Sequence, residues 1–412
     1  MLSDKAKGMY FPYAGILGQG AEAKGKKINA TLGIACEDDK SPMRLGVLDE
    51  LLKVSPAEAY PYAPSFGHPE LRSVWKKMIA SKNPSLGSQS MSLPVVTQAL
   101  THGLTLAGMM FLNPGESILI PDPFWDNYTL MFEESLGAKV HNFPCFTNGK
   151  FNQAGLNQAL AERRGQKIVL LLNFPNNPTG YTPMASEMDA IAQSLIKAAQ
   201  EGSKVVAIID DAYFGLVYEK GVATESIFTQ LANAHENLLA VKIDGATKED
   251  YVWGFRVGFM TYAIKGADEA IYKVLVDKTA GFIRSTISNC SQLSQSLLLK
   301  AYTSPQYGLQ KQQKFDLLKS RYMAIKTAFS AHPEYANVFE ALPYNSGYFM
   351  CVQPKHGVCA EKVRKLLLEK YDTGLIALQG LLRVAFSSVP AEVVPVIFAN
   401  IYAACNEVKT NA

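Results

Sequence analysis

Long apolar runs are missing from this sequence, and so is any strong bias of charge. No run reaches the roughly 18 apolar residues that a helix needs to cross a bilayer. The 40 basic and 37 acidic side chains leave a formal net charge of +3, and the basic residues are scattered rather than clustered. That balance argues against nucleic acid as a partner. Cysteine is sparse: Cys36, Cys145, Cys290, Cys351, Cys359 and Cys405 form no CxxC pair and no Cys/His ligand pattern. The pattern predicts reduced, mostly buried thiols and no bound metal. The opening stretch MLSDKAKGMYFPYAG has no apolar core of signal-peptide length, so a cytoplasmic protein with no membrane association is expected. No internal repeat or low-complexity tract is present.

What is there fits an enzyme-sized globule. The 412 residues, 48% hydrophobic and 19% charged, exceed what one hydrophobic core usually serves, so two domains are expected. From about residue 94 the chain alternates short apolar runs with helical stretches. The clearest strands are 117–121, 167–172, 204–209, 238–243 and 257–262, whose continuous Val, Ile and Leu content suits strands buried on both faces. Stretches 101–111, 184–200 and 226–233 read as helices between them. The predicted fold is therefore α/β, a large domain with a mostly parallel sheet flanked by helices. The tail reads differently. A long helix over 305–331, strands over 347–352 and 381–386, and a final helix over 393–405 predict a smaller α+β unit. The expected division is 46–300 for the large domain and 301–412 for the small one, with residues 1–45 packing against the latter.

Four stretches carry chemistry where a parallel sheet exposes its strand ends, the usual place for a ligand crevice. The first, NFPNNPTG at 173–180, is a turn that projects the amide of Asn177 from a strand end. The second, DDAY at 210–213, puts two carboxylates at the end of a buried strand, which is costly unless a positive group pairs with them. Asp210 is the candidate partner of a cationic ring nitrogen. The third, GATK at 245–248, is followed by WGFRVG, so Arg256 stands eight residues after Lys248. A lysine that forms an imine must be desolvated or sit beside positive charge, so that its amine is neutral and nucleophilic. Lys242, inside its strand, is the weaker candidate. The fourth, TQALTHG at 97–103, opens a helix, where free backbone N–H groups and the Thr101 hydroxyl offer an anion site.

In order and spacing these stretches resemble the fold-type I pyridoxal-phosphate aminotransferases of classes I and II, nearest the aspartate and aromatic branch. The resemblance runs from about Gly33 to Arg383, and it implies the following roles. Lys248 would carry pyridoxal 5′-phosphate as a Schiff base and shuttle the substrate's Cα proton. Asp210 would hold the pyridine nitrogen protonated. Asn177 and Tyr213 would donate hydrogen bonds to the cofactor's phenolate oxygen. Arg256, Thr101 and the backbone of Ala99 and Leu100 would hold the phosphate. Trp125, in PDPFWDNY at 121–128, would stack on the cofactor ring. Tyr62, in YPYAPSFG at 60–67, would reach the phosphate of a neighbouring subunit. Arg383, in LRVAF at 382–386, would grip the substrate α-carboxylate, a bidentate task that suits a planar guanidinium. Two positions depart from the family pattern. Gly245 stands where a serine is common, with Thr247 available to compensate, and Ala35 in LGIA at 32–35 replaces the second glycine of a substrate loop.

The resemblance further implies a homodimer with shared sites, in which Arg284 of IRSTISN at 283–289 would bind the side-chain carboxylate of a substrate in the partner's site. Expected substrates are L-amino acids, aspartate or aromatic ones favoured, and 2-oxo acids. Glutamate and 2-oxoglutarate would form one pair in a ping-pong cycle. A carbon–sulfur β-lyase or a decarboxylase of the same fold would use the same lysine and stays open at this point. A non-enzymatic cofactor-binding regulator is disfavoured, because no basic helix-turn-helix is present.

Overall fold

The structure, a computed structural model, describes residues 1–410. Seven strands form the main sheet: β1 Val95–Gln98, β2 Ser117–Asp122, β3 Lys139–Pro144, β4 Lys167–Asn173, β5 Lys204–Asp210, β6 Leu238–Asp244 and β7 Val257–Ala263. Their order is β1-β7-β6-β5-β4-β2-β3. Only β7 runs against its neighbours, pairing antiparallel with β1 and β6, while the other pairings are parallel. The middle strands are mostly apolar and most of their Leu, Val and Ile side chains are buried, as expected for a sheet covered on both faces, with Lys242 of β6 a buried charged exception.

Strands β4, β5 and β6 each continue one residue past the end predicted from their apolar runs. The added residues are Asn173, Asp210 and Asp244, and β4 and β5 are in register across Asn173 and Asp210. The parallel edge of the sheet therefore ends in a row of buried polar side chains. Helices α1 Ala99–Phe111, α2 Ala185–Gln200 and α3 Glu269–Thr286 belong to this unit. The helix expected over 226–233 shortens to Phe228–Leu231. Ser226 is committed elsewhere: its hydroxyl donates to Asp211 at 2.6 Å and its N–H to the Asn83 side chain at 2.8 Å.

After α4 Tyr307–Ala331, a second sheet is made of β8 Phe339–Ala341, β9 Met350–Pro354, β10 Ile376–Leu378 and β11 Leu381–Val384, antiparallel in the order β8-β9-β11-β10, followed by α5 Val394–Thr410. The strand expected at 347–352 thus begins three residues later, since Gly347 has φ +72° and turns the chain. The N-terminal segment is built into this unit. Ile28–Asn29 pairs in parallel with Thr373–Gly374. The Gln19 side chain exchanges two hydrogen bonds with the Ala377 backbone, at 2.9 and 2.7 Å. Among the described residues no helix is long and apolar enough to cross a membrane.

Candidate active site

A cleft of about 410 Å³ opens at the polar ends of β4, β5 and β6. Its walls include Leu100, Thr101, Trp125, Asn177, Asp210, Tyr213, Lys248, Arg256 and Arg383, so stretches more than two hundred residues apart in sequence converge on one volume.

Asp210 is buried at the end of β5. One carboxylate oxygen accepts the Tyr128 hydroxyl at 2.6 Å and the other the Ala212 N–H at 3.1 Å. Burial raises its pKa, against the opposing pull of the Tyr128 bond and the Lys248 charge. Asp211 has a different task. It pairs with the fully buried Lys242, which also lies 3.2 Å from Asp244. Asp244 in turn accepts the Trp75 indole N–H at 3.0 Å. Burial alone would lower the Lys242 pKa, but the two carboxylates outweigh it and keep the ammonium charged. Lys242 and Asp211 thus neutralise each other inside the large unit.

Lys248 is free of such pairing. Its Nζ sits 5.0 Å from the centre of the Tyr213 ring. Burial pushes its pKa down and the Arg256 charge adds to that, while Asp210 pulls it back up. These are the conditions that favour a neutral, nucleophilic amine. The Tyr348 hydroxyl donates to the Lys248 carbonyl at 2.8 Å. The next two residues, Glu249 and Asp250, are buried and clamped by Lys82 and Lys311, with Nζ to oxygen distances of 2.7 to 3.1 Å. The backbone that carries the amine is therefore anchored to α4 and held in place.

Arg383 is buried on β11. Its guanidinium donates to the Asn177 side-chain oxygen at 3.3 Å and to the Thr31 carbonyl at 3.2 Å, and lies 4.3 Å from the centre of the Phe349 ring. Its Nε–H has no partner although it is buried, and neither has the Trp253 indole N–H on the same cleft wall. Arg256, half-buried, holds a left-handed backbone at φ +55° and donates to the Trp253 carbonyl at 3.3 Å. The first amides of α1 have no acceptor within the helix, and Leu100 and Thr101 of its first turn line the cleft.

Four of the predicted site residues do not line the cleft of their own chain: Ala99, buried at the start of α1 next to Leu100 and Thr101, which do line it, and three others. Ala35 is wholly buried behind the wall, its carbonyl accepting the Met43 N–H at 3.0 Å, and Gly33 and Ile34 line the cleft in its place. Tyr62 is 90% exposed. Arg284 is exposed near the end of α3, donating to the Ser288 hydroxyl at 2.7 Å. Sequence reasoning missed two others. Tyr128 is the hydrogen-bond partner of Asp210, at 2.6 Å, and no local spacing marked it. Asn173 donates to the Asp210 carbonyl at 2.9 Å and accepts the Asn177 N–H at 2.8 Å, tying the turn to the neighbouring strand.

Gly245 has a steric explanation. A Cβ added there would stand 2.7 Å from both the Gly258 Cα and the Val257 carbonyl oxygen, so a serine cannot enter without moving backbone. Thr247 lines the cleft, its hydroxyl 3.4 Å from the Val257 carbonyl. Gly245→Ser is expected to lose about 1–3 kcal/mol of stability by overpacking. Urea unfolding of both proteins checks this, and an unchanged midpoint would contradict it.

A mostly parallel seven-stranded sheet with one reversed strand, a cleft at its polar ends, and a small unit built from both ends of the chain define the fold-type I transferase architecture. Residues 50–401 match the family described as aminotransferase class I and II, and the chain belongs to that family, whose members in general depend on pyridoxal phosphate. It is 30% identical to the aspartate aminotransferase of Musicola paradisiaca over 172 residues, 40% of this chain and 39% of the relative. Against the aspartate aminotransferase of Geobacillus stearothermophilus it is 26% identical over 278 residues, 67% of this chain and 64% of the relative. The chain thus spans less than two thirds of the length of these curated relatives. Among solved structures, an aminotransferase from Anaerococcus prevotii superposes with a TM-score of 0.86 at 23% identity, covering 98% of this chain and 99% of that one. The Thermus thermophilus aspartate aminotransferase with maleate gives 0.75 at 18% identity, with the same coverage. These likenesses establish the fold.

Proposed function

We propose that this chain is a pyridoxal-phosphate-dependent aminotransferase that passes an amino group between an L-amino acid and a 2-oxo acid, with glutamate and 2-oxoglutarate as one pair. The observation that carries the reading is one cleft holding an unpaired lysine, a buried carboxylate and an arginine beside a helix start. Those groups suit, in turn, an aldehyde, a cationic ring nitrogen and a phosphate. The unpartnered N–H groups of Arg383 and Trp253 on the same walls add donors still in want of an acceptor.

Bound pyridoxal phosphate supplies an electron sink for the pair left when the substrate's Cα proton departs. The chain supplies the rest. The Lys248 amine would hold the cofactor covalently and, when free, would take the substrate's Cα proton and return it. Asp210, held by Tyr128, keeps a negative charge facing the ring nitrogen. Asn177 accepts from Arg383 through its oxygen, which leaves its amide N–H groups free to donate toward the ring oxygen beside Tyr213. Arg256, the Thr101 hydroxyl and the amides of Ala99 and Leu100 would hold the phosphate, Trp125 would pack against the ring, and Arg383 would receive the α-carboxylate.

The test is spectroscopic. The purified protein is expected to absorb at visible wavelengths, to lose that band when glutamate is added, and to regain it with 2-oxoglutarate. A colourless protein, or formation of ammonia or carbon dioxide instead of the 2-oxo acid, would overturn the proposal.

The functional unit in this reading is a homodimer, with Tyr62 and Arg284 each serving the neighbouring chain's site. Their exposure on one chain and their absence from the wall of its own cleft support that arrangement, because a twofold contact offers the same residues in both directions. Replacing Arg284 with alanine is expected to raise KM for dicarboxylic substrates by the loss of a charge-assisted partner, roughly 2–5 kcal/mol, and to leave aromatic substrates nearly unchanged. Mixing Lys248→Ala chains with Arg284→Ala chains should restore glutamate activity in one site of each hybrid dimer. Hybrids shown to have exchanged subunits but with no recovery would refute the shared site.

A further inference from the structure

Helix α1 begins on an alanine in left-handed backbone. Ala99 has φ +61°, a conformation that a residue with a Cβ adopts only under constraint. Three contacts supply the constraint. The Thr97 hydroxyl donates to the Ala99 carbonyl at 2.8 Å. Gly258 lets β7 lie against the turn, since an added Cβ there would stand 2.7 Å from the Ala99 carbonyl carbon. The third comes from the helix itself: the Gln98 N–H donates to His102 Nδ1 at 3.1 Å.

That last bond decides the state of the ring. A backbone N–H can only donate, so Nδ1 must present a lone pair and Nε2 must carry the proton. Nε2 faces the Thr286 hydroxyl oxygen at 3.4 Å, and Thr286 spends its own proton on the Phe282 carbonyl at 2.7 Å. Burial lowers the His102 pKa to about 4, which keeps the ring neutral as this geometry requires. His102 is not on the cleft wall, so it acts through the turn. Thr286 lies two residues beyond Arg284, and the ring therefore also ties the turn to the last turn of α3.

We propose that His102 is a positioning residue for the phosphate site: its Nδ1 lone pair fixes the Gln98 peptide and so aims the amides of Ala99 and Leu100 at the cofactor phosphate. This rests on the reading of the cleft as a pyridoxal-phosphate site.

Asparagine and glutamine separate the two ring nitrogens, since asparagine places an oxygen where Nδ1 stood and glutamine reproduces the reach of Nε2. Stripped of cofactor, wild type, His102→Ala, His102→Asn and His102→Gln are titrated with pyridoxal phosphate and, separately, with pyridoxal, which lacks the phosphate. Apo-protein thermal stability is measured alongside. The alanine and glutamine variants are expected to bind pyridoxal phosphate about ten- to a hundredfold more weakly, as for one lost buried hydrogen bond, and pyridoxal as wild type does. The asparagine variant should stay within about threefold of wild type for both. Equal affinity of His102→Gln and wild type for pyridoxal phosphate would sink the inference alone, as would a parallel loss of pyridoxal binding. If His102→Ala fails to fold, the asparagine–glutamine pair decides the matter. A wild-type chain that bound neither compound would sink the reading of the cleft, and this inference with it.

Discussion

Lys248→Ala is expected to abolish transamination while leaving the cofactor bound without a covalent link. The variant loses the group that burial and Arg256 hold toward its neutral form, and no second amine in the cleft can replace it. Losing the proton shuttle alone costs about 10²–10⁴-fold, and loss of the covalent anchor adds to that. Borohydride reduction of wild type followed by peptide mapping should mark the peptide containing Lys248, and no peptide in the variant. Turnover comparable to wild type, or a label on another lysine, would refute the assignment. Lys242→Ala is the useful contrast. It strands Asp211 and Asp244 in the core without their counter-charge, a loss on the order of 3–5 kcal/mol, so it should fail in a stability assay and not in the labelling pattern.

The second large effect is expected at Asp210. Removing its carboxylate with Asp210→Ala should leave the protein able to take up cofactor but slow Cα proton removal by two to four orders of magnitude, about 3–5 kcal/mol in the barrier. The Tyr128 hydroxyl and the Ala212 N–H, both aimed at this carboxylate, would lose their acceptor. Tyr128→Phe should therefore share a fraction of the defect, because the carboxylate survives but loses one of its two fixed donors. Single-turnover measurements with glutamate read both effects. Near wild-type rates in Asp210→Ala would remove Asp210 from the chemistry. Asp211 could not simply take over, since it is bound to Lys242 and to the Ser226 hydroxyl.

The main sheet was legible because strands buried on both faces are largely apolar, and such runs stand out even with Lys242 inside one of them. Their last residues were not. Asn173, Asp210 and Asp244 look like the first residues of loops, and only cross-strand register places them within the sheet. Asp210 is preferred to Asp211 on the family resemblance, because strand periodicity alone does not choose between them. Adjacent residues at a strand end point to opposite sides, and the sequence does not say which side holds the cleft. The structure decides by giving Asp211 to Lys242. Tyr128 was hidden because its partner is 82 residues away in the chain. Ala35 was read from a loop pattern, yet a loop wall is made by whichever backbone the neighbouring strands leave exposed, here Gly33 and Ile34. Tyr62 and Arg284 are surface residues on a single chain, so no feature of that chain's own cleft could have pointed to them.

The Lys27 N–H bonds the Asp372 carboxylate at 3.1 Å across a separation of 345 residues, beside the Ile28–Asn29 and Thr373–Gly374 pairing. A ribosome adding about 5–20 residues per second needs on the order of tens of seconds to deliver the second half of that contact. For all that time the leading segment has no native strand to join, while the strands up to Ala263 and the Lys248 loop have already emerged. The part of the cleft that holds Asp210 and Lys248 can therefore assemble on the nascent chain well before Arg383 arrives to complete it. Protease applied to stalled ribosome-bound chains should cut ahead of Ile28 until Thr373 has cleared the exit tunnel, and protection at shorter lengths would show that another partner shields the segment first.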